Sequence, residues 1–150
     1  KLNNNLMLIY TGISRTAEKI ANKYANKLNT DKRKSILNIL RYVAQGEKIL
    51  KSGDIDDFGR LLHDTWLEKK ALSKMISNSK INDIYDNAIK NGALGGKLLG
   101  AGGGGFLLMY MKKEKRKNFL KKNKKLTNVP FSFTNSGSKV IFDQLTDKKL

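Results

Sequence analysis

The residue types most able to do chemistry lie between positions 92 and 105. Gly92-Ala93-Leu94-Gly95-Gly96-Lys97-Leu98-Leu99-Gly100-Ala101-Gly102-Gly103-Gly104-Gly105 holds eight glycines in fourteen residues. Each glycine costs about 0.5 to 1 kcal/mol of backbone entropy relative to alanine in regular structure, so such a density needs a compensating reason. Two reasons exist: positive backbone dihedrals, and close approach of a ligand to bare peptide N–H groups. Successive amide hydrogens in such a loop form an anion-binding concavity suited to phosphate. A tight strand connection without a ligand is the plain alternative, and two or three glycines would serve it.

Two familiar phosphate motifs nearly match and fail. Gly100, Gly102 and Gly105 satisfy G-x-G-x-x-G, but a dinucleotide site needs a helix immediately afterward and an acid about 20 residues on. Here Phe106-Leu107-Leu108-Met109-Tyr110 follows and the region around Lys125 is basic. The run from Gly92 to Lys97 is one residue short of a P-loop, and Leu98 stands where Ser or Thr would hold magnesium.

Single polar residues add to the loop. Arg15 follows a strand-to-helix turn, where a planar guanidinium can grip phosphate bidentately or simply be solvated. Lys97, between glycine pairs, is placed either for a phosphate contact or for solvent. Ser14 reads first as a helix cap. His63, with Asp64 and Glu68 nearby, has the makings of an acid-base group, against a structural histidine on a helix. Trp66 fits an apolar stripe. Lys69 and Lys70 read as solvated, with Lys69 a weaker phosphate candidate.

The elements that must position these residues follow from periodicity. Leu6 to Tyr10 is a short apolar run ended by Thr11 and Gly12, a buried strand leaving through a turn. Ala17, Ile20, Ala21, Tyr24, Ala25 and Leu28 follow the spacing of an amphipathic helix. Thr30 and Asp31 start a second, with Ile36, Leu37, Leu40, Val43 and Leu50 as its stripe and Gly53 as its end. Asp54 caps a third, on which Ile55, Phe58, Leu61, Leu62, Trp66 and Leu72 recur. A fourth runs from about Lys80, with Ile81, Ile84, Tyr85, Ala88 and Ile89 inward and Gly92 as a left-handed terminator. Past Gly92 the period shortens. Ala93 to Leu99 and Phe106 to Met111 read as adjacent strands joined by the glycine loop, a basic helix follows, and Val129 to Phe133 and Lys139 to Phe142 read as closing strands. The order predicts one α+β domain over residues 1–150, a ferredoxin-like split β-α-β sandwich with additional helices after the first strand.

Composition narrows the function classes. The chain of 150 residues has no cysteine and one histidine, which excludes disulfides and thiolate metal sites and argues against a histidine metal site. A reducing cytoplasm is the expected setting. The longest apolar stretch falls far short of the about 20 residues of a membrane helix, so no membrane partner is expected. The chain begins at Lys1 with a strand-like run close behind, and reads as cut from something longer. A formal charge of +17 invites a nucleic-acid reading. However, 25 of the 30 basic residues are lysines, spread along every expected helix, and fifteen more residues are asparagines. That is a compositional bias on solvated faces. The one dense cluster, Lys112 to Lys125, has nine basic residues in fourteen and reads as a solvated helix face or a contact for an acidic partner. A nucleic-acid sheet of the RNP type would need a leading basic residue and a second stacking aromatic beside Phe106, which the sequence lacks. The competing classes are therefore a basic nucleic-acid-binding or interaction module and a phosphate-handling enzyme.

The string Gly-Ala-Leu-Gly-Gly-Lys-Leu-Leu-Gly-Ala-Gly-Gly-Gly-Gly-Phe-Leu-Leu, residues 92 to 108, resembles the third motif of the galactokinase, homoserine kinase, mevalonate kinase and phosphomevalonate kinase superfamily. Tyr10-Thr11-Gly12-Ile13-Ser14-Arg15, Leu62-His63-Asp64-Thr65-Trp66-Leu67-Glu68-Lys69-Lys70 and the segment from Val129-Pro130-Phe131 resemble its heptose 7-phosphate kinase branch. The resemblance implies a cleft-facing loop in which Gly95, Gly96, Lys97, Gly100, Ala101, Gly102, Gly103 and Gly104 lie near the ATP phosphates and the acceptor. It makes Ser14, Arg15, His63 and Lys69 the candidates for a sugar phosphate. It also implies ATP and Mg2+, bound mainly by an N-terminal domain whose Gly- and Ser-rich motif and acidic residue this chain lacks. That domain is the expected partner, and without it the chain is expected to be inactive.

Overall fold

A computed structural model of the chain describes residues 1–14 and 33–139. Arg15, the helix expected over Ala17 to Leu28 and the strand expected up to Phe142 lie outside those residues. The described elements are α1 (Leu2–Asn5), β1 (Leu6–Tyr10), α2 (Arg33–Ser52), α3 (Ile55–Leu72), α4 (Ser79–Lys90), β2 (Ala93–Leu98), β3 (Phe106–Met111), α5 (Lys113–Lys122) and β4 (Thr127–Val129).

The four strands form one antiparallel sheet in the order β2-β3-β1-β4. This is the split β-α-β arrangement, in which β3 inserts between β1 and β2. Register runs Tyr10 opposite Phe106 and Leu6 opposite Tyr110, so the exit of β1 and the start of β3 stand at the same end as the glycine loop. Strand alternation divides the apolar residues between two faces. Met7, Ile9, Leu107, Met109 and Met111 join Ile81, Ile84, Tyr85 and Ala88 of α4 and Phe119 of α5 in the larger core. Leu6, Leu108 and Tyr110 meet Leu62, Ile55 and Phe58 of α3.

β4 ends at Val129, where a strand through Phe133 was expected. Pro130 has no N–H to continue a ladder, and this stops the pairing. In α2 the face packed on α3 is built on Gly46, where an added Cβ would meet Leu61 at 3.2 Å, while Asn38 donates to Glu68 at 2.7 Å. Leu37, Leu40, Val43 and Leu50, expected to face inward, are exposed. Asp54 caps α3 as expected, accepting from the Asp56 amide at 3.2 Å. Asn78 caps α4, and Gly92 follows that helix with φ 96°. The lysines of α5 are exposed, with Phe119 as its buried anchor.

Candidate functional site: the glycine loop and its supports

The loop from Leu99 to Gly105 joins β2 to β3 and is fastened from three directions. From β1, Thr11 donates both its amide and its hydroxyl to the Gly105 carbonyl at 2.9 Å, and the Gly105 amide donates to Ile13 at 2.9 Å. From the segment between α3 and α4, the Ile76 carbonyl accepts from the Gly103 amide at 2.8 Å, and Asn78 Nδ2 reaches the Gly103 carbonyl at 3.4 Å. From α3, the Lys69 ammonium donates to the carbonyls of Leu98 at 2.9 Å and Gly100 at 2.5 Å.

These supports need bare backbone. A Cβ on Gly102 would stand 2.9 Å from the Ile76 Cα, and one on Gly104 would stand 2.6 Å from the Ile13 carbonyl oxygen. Gly100 has φ 68° with open space around it. Gly100 and Ala101 form a turn closed from the Leu99 carbonyl to the Gly102 amide, and among the described residues no group accepts from the amides of Gly100, Ala101 and Gly104. Three such donors on one fastened loop are a fitting environment for an anion.

Gly95 and Gly96 differ from this group. Both lie within β2. A Cβ on Gly95 would fall 2.1 Å from the Gly59 carbonyl oxygen and 2.7 Å from the His63 amide, and one on Gly96 would meet the Met109 sulfur at 2.4 Å. Their bareness lets α3 and β3 close on the strand.

Lys97 and Lys69 line one groove of about 580 Å³ between α2, α3 and β2. Lys69 is drawn out of solvent rather than fully solvated as the sequence suggested. Burial, with the Lys97 charge added, pulls its ammonium down to about 8. Lys70 instead lies over the Trp66 ring, 5.5 Å from its centroid. His63 Nδ1 and the Tyr85 hydroxyl meet at 2.7 Å with the rings stacked, and burial pushes the Tyr85 phenol well above its ordinary range. Trp66 is fully buried, as its place in the stripe suggested.

Ser14 follows Ile13 directly, at the rim where β1 meets the loop. Lys80 is there too: its ammonium would lie 3.0 Å from a Cβ on Gly12. Sequence reasoning missed Thr11, Ile76, Asn78 and Lys80. Periodicity marks none of them, since their partners lie in distant segments. The aromatic beside Phe106, missing from the linear motif, is Tyr10 on the neighbouring strand, with ring centroids 5.2 Å apart. Among the described residues, no group of three His, Asp or Glu could hold a metal ion, and no helix is long and apolar enough to cross a membrane.

The family model described as GHMP kinases C terminal matches residues 47–126, more than half of the chain. The chain belongs to the GHMP kinase C-terminal family. The match takes in α3, α4, the glycine loop and α5, so the supports from Lys69, Ile76 and Asn78 all fall within the GHMP region. A D-glycero-alpha-D-manno-heptose 7-phosphate kinase of Campylobacter jejuni is 32% identical over 136 residues, covering 89% of this chain and 40% of that protein. An L-fucokinase/L-fucose-1-P guanylyltransferase of Bacteroides fragilis is 36% identical over 99 residues, covering 64% of this chain and 10% of that protein. The crystal structure of L. major mevalonate kinase with R-mevalonate superposes with a TM-score of 0.73 at 22% identity, over 82% of this chain and 40% of that one. The GHMP chain therefore has the expected α+β fold and spans less than half the length of these kinases.

Proposed function

We propose that this chain is the C-terminal half of an ATP-dependent sugar kinase that transfers the γ-phosphoryl group to the anomeric hydroxyl of D-glycero-D-manno-heptose 7-phosphate. The observation that carries the reading is the set of three loop amides, Gly100, Ala101 and Gly104, that have no acceptor among the described residues on a loop fastened by hydrogen bonds. Phosphoryl transfer depends on positioning and on neutralising charge on the phosphate oxygens. Preorganised amides supply the second without reorganising at the moment of reaction. Lys97 adds a positive charge beside the loop, and Ser14 and Arg15 stand next along the chain from its β1 support. Support for the heptose branch comes from the 32% identity to the Campylobacter kinase.

On the family resemblance, this reading assigns Mg2+ and most of the ATP contacts to an N-terminal domain of the native protein, which is also the partner across the cleft. A cytoplasmic location is consistent with this reading.

The test is ADP release by the 150-residue chain with Mg-ATP and heptose 7-phosphate. No turnover above blank is expected. Turnover by the chain alone would overturn the assignment of catalysis to a second domain.

A further inference from the structure

The ammonium of Lys69 donates two hydrogen bonds, both to backbone carbonyls at the entrance of the glycine loop. Leu98 ends β2 and Gly100 begins the positive-φ turn, with φ 68°. A single donor group thus bridges the last residue of the strand and the first positive-φ glycine after it. No carboxylate pairs with Lys69 among the described residues. The charge is held in a groove with apolar walls that include Phe58, Leu61 and Leu72. Keeping an ammonium there costs stability unless its hydrogen bonds return something specific. What they fix is the direction of the Gly100 peptide, and with it the heading of the amides that follow.

We infer that Lys69 is a positioning residue: its ammonium pins the Leu98 and Gly100 carbonyls and so sets the orientation of the anion-facing amides, leaving Lys97 as the lysine free to meet the ligand. The charged and titratable groups that share the groove are Lys97 from β2 and Glu47 and Tyr42 from α2. Glu68, next to Lys69 on α3, is engaged by Asn38. None of these forms a hydrogen bond to the Lys69 ammonium among the described residues. The consequence for phosphate binding rests on the kinase reading; the pin itself does not.

The experiment compares the chain with its Lys69→Met and Lys69→Arg variants. Methionine fills the groove without the charge, so its melting temperature is expected to equal or exceed that of the parent. Native-state hydrogen exchange is read at the Leu99 and Gly103 amides, which are bonded to Phe106 and Ile76. In Lys69→Met both are expected to exchange about tenfold faster or more, as the loss of hydrogen bonds from a charged donor requires. Gly105, held on the far side by Ile13, and Met109 in β3 are expected to hold their protection. Lys69→Arg, which keeps a charged donor, is expected to recover part of the loss.

Unchanged exchange at Leu99 and Gly103 in Lys69→Met would overturn the inference, as would a uniform rise across β3 with a lowered melting temperature. The same samples are titrated with inorganic pyrophosphate and followed by amide chemical shifts. Shifts at Gly100 to Gly104 in the parent, weakened in Lys69→Met, extend the pin to anion binding. Absence of shifts in the parent counts against the kinase reading, while exchange at Leu99 and Gly103 still decides the pin.

Discussion

Gly95 in β2 and Gly59 in α3 touch backbone to backbone: a Cβ on Gly95 would stand 2.1 Å from the Gly59 carbonyl oxygen. Neither atom belongs to a flexible side chain, so the contact cannot relax by a rotamer change. Gly95→Ala is therefore expected to destabilise the chain by about 2 kcal/mol or more, within the upper range of overpacking effects. Gly100→Ala, with φ 68° and no atom within 4 Å of the new Cβ, meets only backbone strain of about 1 to 2 kcal/mol. Urea unfolding of the two variants checks the order.

Tyr110 anchors a second junction. Its hydroxyl donates to Asp56 at 2.8 Å and accepts from Asn5 at 2.9 Å, while Lys112 contacts the other Asp56 oxygen at 2.6 Å. Tyr110→Phe is expected to cost about 1 kcal/mol, the net worth of a hydrogen bond. Burial, followed by the bond to Asp56, pushes the Tyr110 phenol up to about 12. The hydrogen bond from Lys112 holds the Asp56 carboxyl below its usual 3.8. Its contribution is complete above that value and is lost as pH falls through the lower folded-state value. Acid unfolding of Asp56→Asn is expected to show a shallower pH dependence below 3.8 than the parent.

How much of this was readable from sequence depends on the range of the interaction. The cap at Asp54, the turn at Gly92 and the bounds of β3 are set by residues within a few positions, and local spacing reported them. The glycine run marked the loop, but one compositional signal covered two physical causes. Gly95 and Gly96 are bare for packing, whereas Gly100 is bare for its dihedral. The inward face of α2 was misjudged because Leu37, Leu40 and Val43 have a helical period of their own, and a period does not say which face has a partner. Lys69 was read as a helix-end lysine. Its acceptors lie about thirty positions away, where sequence spacing carries no information.

Lys69 also predicts an alkaline signature. Its folded-state value of about 8 lies below the unfolded 10.5, so between those values the unfolded chain holds the extra proton. Stability from this group therefore rises with pH across that window. Lys69→Met removes the rise, and urea midpoints measured from pH 7.5 to 10.5 will show a flatter profile than the parent.

Trp66 is fully buried, with no acceptor for its Nε1 hydrogen among the described residues. An unmade hydrogen bond in the core penalises the native state. Trp66→Phe sheds that donor along with part of the ring, so its cost is expected to stay well below the about 3 to 5 kcal/mol of Trp66→Ala. Thermal unfolding of both variants measures the gap, and a Phe variant as unstable as the Ala variant would contradict it.

The central claim is best tested by ADP release from Mg-ATP by the native-length gene product, assayed with heptose 7-phosphate, mannose, fucose, galactose and mevalonate. Selective turnover with the heptose phosphate, depressed by Lys97→Met, is the predicted result. Turnover with another acceptor would keep the kinase and contradict the substrate, and silence across the panel with salt-sensitive RNA binding would contradict the kinase itself.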